Sequence, residues 1–464
     1  IQNSECVEKA EVAAPGFVNF FLSASRLQKE TAMILGQKEN YGSLDIGQKK
    51  KVQVEFISAN PTGPLTLGNG RGGFMGDVLA NILAKSGFEV EREYYVNDAG
   101  LQVGKLGHSI KKDELAEYKG KYIDALSYLA KNADEITVIG KAAADVILET
   151  MIKPTVEKGM KIKFDLWFRE SELYKIDENT KIRQVDKIIN FLKEKKLAYE
   201  KEGALWFKST EFGDDKDRVL IKTDGEKTYL ASDVAYLKNK SERGFEKLIY
   251  FWGADHHGYV QRYKAAGQAL GFDSENIEII IVQLVRLMKE GKEVRMSKRA
   301  GNYVTLDELI EEVGLDAARF FFLMHSAETH MDFDLDLAKE KSEKNPVYYV
   351  QYAHARISSI FRKAGQEPGN DFGLLKETAE LNLIKQIARL PEIVEDSAKD
   401  YQVQRLPQFA LDLVRSFHKF YEECRVIDEK NPELTAGRLG LIKAVQIVLK
   451  NTLDLMGISA PEKM

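Results

Sequence analysis

The chain has few of the features that mark secreted, membrane-spanning or low-complexity proteins. Its 464 residues include only two cysteines, Cys6 and Cys424, which are too few for a disulfide framework or a thiolate metal site and which suit a reducing cytoplasm. The longest apolar runs fall far short of the roughly 20 residues that cross a bilayer, and the first residues do not form a signal peptide. We therefore expect a cytoplasmic globular protein, with two or three domains for this length.

Several common signatures are also missing. The sequence has no G-x-x-x-x-G-K-[ST], which excludes the P-loop class of nucleotide-binding proteins, and no H-E-x-x-H zinc motif. It shows no fixed-period repeat, and its net charge of −5 means that any nucleic-acid contact must come from a local surface.

Strand-like and helical segments alternate through the middle of the chain, a pattern typical of a parallel sheet with helical crossovers. The predicted α/β domain covers 49–341 and is split by a Lys/Glu-rich helical insertion at about 105–200. From 342 to 464 the apolar residues recur only at helical spacing, which predicts an all-α bundle. The sequence of residues 1–48 predicts a strand followed by a short helix, which we interpret as the last part of a larger unit. The clearest central strands are KVQVEFI (51–57), FEVEREYYV (88–96), EKLIYFW (246–252) and IEIIIVQL (277–284).

Residues 58–73, SANPTGPLTLGNGRGG, join the first of these strands to an apolar helical run. The pattern predicts a strand, a Gly/Pro loop and a helix N-terminus, where free N–H groups and the helix dipole attract phosphate and missing Cβ atoms let a ligand approach. Gly68, Gly70 and Gly72 are therefore candidate nucleotide-binding residues, and a ligand-free glycine turn is the alternative.

A dinucleotide-binding dehydrogenase is a second interpretation of these glycines. Gly68, Gly70 and Gly73 spell G-x-G-x-x-G, and acidic residues follow about twenty positions later. In that fold the first glycine follows the strand at once, whereas ten residues separate Ile57 from Gly68 here. The dehydrogenase interpretation also leaves the rest of the sheet unexplained.

A basic loop follows the last central strand. Residues 285–310, VRLMKEGKEVRMSKRAGNYVTLDELI, predict a strand, a polar turn, the segment RMSKRAG and a helix that begins near Thr305. Such a glycine-flanked cationic loop can close on a polyphosphate and neutralise charge that develops during transfer. Solvated surface is the ordinary alternative for the cationic residues Arg295, Lys298 and Arg299 and the adjacent Ser297.

Together the glycine and RMSK segments resemble the HIGH and KMSK signatures of class I aminoacyl-tRNA synthetases, at Thr66–Asn69 and Arg295–Lys298. The segments around these signatures resemble bacterial arginyl-tRNA synthetases over essentially the whole chain. Residues 4–23 resemble only the end of that family's N-terminal appended domain. The resemblance implies a Rossmann-like catalytic domain, an anticodon-binding bundle, a monomer, and L-arginine, tRNA(Arg) and ATP with Mg²⁺ as ligands. The segments that carry it are VEFISANPTGPL, GNGRGG, YYVNDAGLQ, TYLASDVAYLKNK, WGADHHGYVQR, RMSKRAGNYVTLDEL, YVQYAHARI and GISAPEKM.

The chain departs from the family pattern at both HIGH histidines, which are Thr66 and Asn69 here. Both replacements are neutral but can donate hydrogen bonds, and losing one transition-state donor costs about 2.7–4 kcal/mol of barrier. We therefore expect an active but slower enzyme, with a catalytically silent tRNA-binding relative as the alternative. The resemblance gives Thr66, Asn69 and Lys298 the catalytic roles and places Met296 and Ser297 against ATP.

A guanidinium is best held by carboxylates in fork geometry. Glu55 lies at the carboxyl end of a strand, where open sheets bind ligands, and Tyr229 and Asp233 are four residues apart. The resemblance implies that these three hold the arginine side chain, while Asn60 and Gln261 hold its ammonium and carboxylate. The alternatives are a helix N-cap for Asp233 and a surface strand position for Glu55.

The segment GADHHG (253–258) follows a predicted strand end. Gly253 allows a ligand to come close, Asp255 can bind ribose hydroxyls, and we assign His256 or its neighbour His257 to the nucleotide or to a structural role. Adjacent histidines rarely share one ion, so no protein-bound metal is expected.

Tyrosines on the predicted bundle are candidates for tRNA contact. Tyr349 and Tyr352 lie one helical turn apart, suited to stacking on unpaired anticodon bases. Tyr421 and the terminal Met464 are further candidates, and core packing is the alternative for the tyrosines.

Overall fold

A computed structural model describes residues 6–131, 133–294 and 304–464. The segment that contains Arg295, Met296, Ser297, Lys298 and Arg299 lies outside the described residues. In the part of the chain that is described, no helix combines the length and the apolar character needed to cross a membrane.

The strands alternate with helices through the middle of the chain, as the sequence predicts. In the described residues the strands are β1 Val7–Ala13, β2 Phe17–Leu22, β3 Lys51–Glu55, β4 Glu89–Val96, β5 Leu166–Arg169, β6 Ala198–Lys201, β7 Ala204–Phe207, β8 Arg218–Ile221, β9 Lys247–Gly253, β10 Ile277–Val282, β11 Val285–Lys289, β12 Lys292–Val294 and β13 Met331–Asp334.

After β13 the described chain is helical, which confirms the predicted C-terminal bundle. The α-helices are α1 Ala24–Gln37, α2 Leu67–Lys85, α3 Leu101–Lys111, α4 Lys121–Ala125, α5 Ile136–Ile147, α6 Gln184–Glu194, α7 Tyr229–Glu242, α8 Val260–Ala269, α9 Leu306–Val313, α10 Leu315–Leu323, α11 Leu335–Lys339, α12 Pro346–Ala364, α13 Thr378–Ile387, α14 Leu390–Asp400, α15 Arg405–Glu423 and α16 Pro432–Met456.

The central sheet has the strand order β5-β4-β3-β9-β10, and every pairing in it is parallel. The four strands predicted from the sequence are β3, β4, β9 and β10. Because the order along the sheet reverses between β3 and β9, a crevice opens there at the carboxyl ends of the strands, where open α/β sheets bind ligands.

The two faces of this sheet carry different residues. Val52, Val54 and Phe56 are buried in the core that contains α2. Gln53 and Glu55 alternate with them and, like the neighbouring Tyr250 of β9, point to the opposite face, which α7 covers. The alternation predicted for Glu55 is therefore present.

The stretch at 105–200 differs from the expected helical insertion. Much of it is helical, but β5 lies inside it and pairs with β4, with Leu166 beside Glu93 and Arg169 beside Val96. This strand has only four residues between Lys-rich segments, so its period-two signal is too short to detect. A small antiparallel sheet of β6, β7 and β8 follows. The domain limits at 48 and 341 stay predictions.

The C-terminal bundle packs directly against α2. Its apolar core is continuous with the core on the α2 side of the sheet. The Asn81 amide donates to the Leu455 carbonyl at 3.0 Å, and buried Arg319 donates to both the Met456 carbonyl and Asp77 at 2.9 Å. The last turn of α16 is thus capped by side chains of α2 and α10.

Candidate active site at the carboxyl edge of the sheet

The N-terminus of α2 is organised by the two residues that replace the HIGH histidines. Thr66 is the N-cap, and its N–H and hydroxyl donate to the amide oxygen of Asn69 at 3.0 and 2.9 Å. With that oxygen occupied, the amide nitrogen of half-buried Asn69 is directed away from Thr66 and keeps its two N–H donors.

The glycines lie in the helix rather than in the loop predicted for them, because Thr66 already starts α2 at Leu67. Gly68 is exposed, but Gly70 and Gly72 are buried. A Cβ on Gly70 would come within 2.5 Å of Leu306 Cδ1, whereas one on Gly72 would meet Val282 at an ordinary 3.8 Å. Gly70 thus permits α9 to pack on α2. Binding of ATP by these glycines stays a prediction.

The chain returns from the RMSK segment to this same place. Thr305 caps α9, as predicted, and forms a capping box with Glu308. The Leu306 N–H donates to the Leu65 carbonyl at 2.9 Å, immediately before α2. One flank of the predicted cationic loop is therefore attached to the N-terminus of α2.

Glu55 is 7% exposed and fully hydrogen-bonded at the end of β3. Its Oε2 accepts from Lys240 Nζ at 2.6 Å and from the Tyr236 hydroxyl at 2.9 Å, both on α7. The backbone then turns sharply, with φ of +65° at Ile57 and +37° at Ser58, a conformation costly for a β-branched residue. This turn lets Ser58 donate to Glu55 and accept from the Tyr95 N–H.

Two further carboxyl groups face this position. Burial, followed by repulsion from Asp98, raises the pKa of Glu170 to about 7. Burial, followed by repulsion from Glu170 and Glu55, raises the pKa of Asp233 to about 7, although Arg262 opposes the shift. Asp233 lies in the second turn of α7, so it is not the N-cap that the alternative interpretation allowed. Glu55 and Glu170 therefore both lie within electrostatic range of Asp233.

Glu170 was missed by sequence reasoning because β5, which it follows, was missed. The available signal was an acidic residue just after the short segment LWFR, whose first three residues are apolar, at the same sheet edge as Glu55. The Asn97 amide, oriented by its neighbours, donates to Glu170 at 2.8 Å. Asp98 accepts from the Ser171 N–H and hydroxyl at 2.9 and 2.8 Å and so holds the turn that carries Glu170.

The other residues assigned to arginine are Tyr229, Asn60 and Gln261, of which Tyr229 lies near Glu170. Tyr229 is the first residue of α7, is 44% exposed, and carries a hydroxyl whose pKa is raised by burial and by Glu170. Asn60 is exposed after the Ser58 turn. Gln261 lies beside Arg262 on α8 and lines a cleft of about 830 Å³ that extends to the end of β10.

The GADHHG segment forms a helical turn directly after β9. Gly253, Asp255 and His256 are exposed, with His256 Nε2 3.5 Å from Asp255. His257 lines the same 830 Å³ cleft as Gln261. The segment therefore borders the crevice between β3 and β9, and its contact with a nucleotide stays a prediction.

The predicted tRNA-contact tyrosines occupy one side of the bundle. Tyr352 is 39% exposed, stacks on Tyr348 at 6.4 Å between ring centres, and accepts a hydrogen bond from Arg356 at 3.1 Å. The same guanidinium lies 4.6 Å over the ring of Tyr421. Tyr349 is half-buried and stacks on His418 at 5.2 Å.

The chain terminus returns to α12, where Pro461 accepts from His354 and Glu462 from Arg362. Met464, which ends this segment, is 54% exposed.

Comparison with known protein families covers most of the chain. The profile of tRNA synthetases class I (R), catalytic domain, matches residues 30–326, and that of the DALR anticodon binding domain matches residues 350–464. The arginine–tRNA ligase of Bacillus subtilis is 46% identical, over 99% of this chain and 86% of the relative. Arginine–tRNA ligase 1 of Halalkalibacterium halodurans is 44% identical over the same shares of each chain.

Solved structures give the same grouping. A Campylobacter jejuni protein assigned as an arginyl-tRNA synthetase superposes with a TM-score of 0.84 at 36% identity, over 96% of this chain and 100% of the other. The Thermus thermophilus arginyl-tRNA synthetase, at 23% identity, superposes with a TM-score of 0.80 over 99% of this chain and 89% of the other, which supports the fold.

Proposed function

We propose a reaction for this chain on the premise that it belongs to the arginyl-tRNA synthetase family of class I enzymes. The reaction joins L-arginine to tRNA(Arg) and is driven by ATP. Membership of this family removes the dehydrogenase interpretation of the glycines. The residue roles below are our assignments.

In the first step the arginine carboxylate attacks the α-phosphorus of ATP in line, and pyrophosphate leaves. This step needs no nucleophile or general base from the protein, so catalysis consists of positioning and charge stabilisation. We assign the Asn69 amide N–H groups, at the N-terminus of α2, to the phosphate oxygens, together with Lys298. Mg²⁺ bound to ATP would neutralise negative charge on the phosphates, and we assign no residue of the protein to hold it. A hydroxyl at the 3′ end of the tRNA then attacks the carbonyl carbon of the arginyl-adenylate, which transfers the aminoacyl group to the tRNA and releases AMP.

The observation that carries the arginine assignment is a row of charges along one face of α7. At its carboxyl end Arg243 binds Glu91 and Glu93, and Lys240 binds Glu55. At its amino end Asp233 faces Glu170, and within the described residues neither forms an ion pair with a basic side chain. The guanidinium of arginine is the cation that this end of the row accepts.

Transfer of labelled arginine to tRNA(Arg) tests the proposal. The wild-type protein should form arginyl-tRNA, and Asp233→Asn should raise KM for arginine by about 100-fold or more because it breaks a charge-assisted fork. The matched control is Asp224→Asn, which changes an exposed acid in the turn before α7. A wild-type protein that binds tRNA but forms no product would instead support the silent relative.

A further inference from the structure

We propose that Lys240 is a positioning residue for arginine. It acts on arginine binding indirectly, through its ion pair with Glu55. The inference rests on the proposed function and concerns a residue that never reaches solvent, since its exposure is 0%. Its ammonium donates to Glu55 at 2.6 Å and to the Tyr250 hydroxyl at 3.1 Å.

The ammonium is also enclosed by aromatic rings. It lies 4.3 Å from the ring centres of both Tyr236 and Tyr250, an arrangement that stabilises a desolvated cation. Burial alone would lower the pKa of Lys240, but Glu55, Tyr250 and Glu93 outweigh it and the pKa is raised. Lys240 is thus a permanent positive charge directly behind the arginine site.

Its place in the row gives this charge a role. Along the α7 face Asp233, Tyr236, Lys240 and Arg243 follow one another at helical spacing. Arg243 satisfies Glu93, and Lys240 satisfies Glu55, so the first carboxyl groups left for a ligand are those of Asp233 and Glu170. Lys240 is the protein cation in this row that lies nearest to Asp233. It thereby sets where along the row the guanidinium of the substrate binds.

Removing the Lys240 charge takes away the ion-pair partner of Glu55 and does not remove a contact with the substrate. An unpaired buried carboxylate is unfavourable and takes up a proton. A protonated Glu55 becomes a hydrogen-bond donor, which competes with the guanidinium for the facing carboxylates of Asp233 and Glu170. Binding of arginine weakens, while the nucleotide contacts at α2 and β9 are untouched.

The test compares KM for arginine with KM for ATP in charging of tRNA(Arg). Lys240→Met should raise KM for arginine by about tenfold and leave KM for ATP within about twofold, since one partner of a buried ion pair is lost. Lys240→Arg, which keeps the charge, should restore most of the affinity. Lys238→Met, two residues away on the partly exposed side of α7, is the matched control and should behave as wild type.

A double variant keeps the test decisive if Lys240→Met folds poorly. Glu55→Gln with Lys240→Met leaves no buried charge unpaired, so its KM for arginine should be no higher than that of Glu55→Gln alone. The inference would be overturned if the increases in KM for arginine caused by Glu55→Gln and Lys240→Met multiplied in the double variant. An unchanged KM for arginine in Lys240→Met would also overturn it. Failure of the wild-type protein to charge tRNA would instead overturn the proposed function.

Discussion

Thr66 and Thr305 pair as an antiparallel β-bridge, which joins the caps of α2 and α9. The two residues are far apart in sequence, yet each adjoins a segment that carries one half of the predicted ATP site. The bridge therefore holds the start of α9, where the chain leaves the RMSK segment, beside the N-terminus of α2 that carries Asn69.

The first prediction concerns the donor that replaces a HIGH histidine. Asn69→Asp keeps an oxygen to accept from Thr66 but loses the amide N–H groups and adds a negative charge. Since one preorganised donor is worth about 2.7–4 kcal/mol of barrier, kcat for tRNA charging should fall by at least 100-fold, with KM for arginine little changed.

Thermal melting separates this effect from loss of the helix cap. Asn69→Asp should melt close to wild type, and Thr66→Ser, which keeps the hydroxyl that donates to Asn69, should retain activity. A fully active Asn69→Asp enzyme would show that the amide does not contact the phosphates.

The parts of this site that were predictable depend on local signals. Period-two alternation located β3 and the direction of Glu55, and the Thr305 capping pattern located the start of α9. A single strand end placed Gly253 at the crevice. Each of these signals is contained in fewer than ten neighbouring residues.

The parts that were not predictable depend on partners distant in sequence. Lys240 is 185 residues from Glu55, so nothing local indicates that the Glu55 charge is already neutralised. Gly70 looks like a phosphate-binding glycine until Leu306 is known to fill the adjacent space. Glu170 directly follows a four-residue strand that only the completed sheet defines.

The second prediction is that arginine binding strengthens as pH rises through neutrality. Glu170 and Asp233 both have pKa values raised to about 7, chiefly by burial and then by neighbouring carboxylates. Below this pH the pair holds a proton and lacks charge for a guanidinium, and above it arginine relieves the repulsion between them. The value of kcat/KM for arginine should rise about tenfold between pH 6 and pH 8. A flat profile over this range would contradict the assignment.

The same pKa values predict how stability depends on pH. Between the ordinary pKa values of 4.5 and 3.8 and the raised value of about 7, these two acids bind more protons in the folded protein than in the unfolded chain. Their contribution to the free energy of unfolding therefore decreases as pH rises towards 7. Bound arginine removes that penalty. The increase in Tm on adding arginine should be larger at pH 8 than at pH 6, and Asp233→Asn should remove much of the difference.

The fourth prediction separates packing from ligand approach among the glycines of α2. Gly70→Ala would place a Cβ 2.5 Å from Leu306, and such overpacking costs about 1–3 kcal/mol. The Tm of Gly70→Ala should fall. In the double variant Gly70→Ala with Leu306→Ala, the loss of stability should be smaller than the sum of the losses in the two single variants. Gly72→Ala, whose Cβ has room beside Val282, should melt close to wild type. Equal stability of wild type and Gly70→Ala would contradict the packing role.

The last prediction concerns the tyrosines of the bundle. Tyr352 is exposed and already stacked on Tyr348, so its outer face is available to an unpaired base. Because a base stacked on an aromatic ring is worth about 1–3 kcal/mol, Tyr352→Ala should raise KM for tRNA(Arg) by about tenfold and leave KM for arginine unchanged. Tyr352→Phe keeps the ring and loses only the hydroxyl that accepts from Arg356, so it should bind tRNA nearly as well as wild type. Tyr128→Ala, an exposed tyrosine far from the bundle in sequence, provides the control, and an equal loss of tRNA affinity there would remove the stacking interpretation.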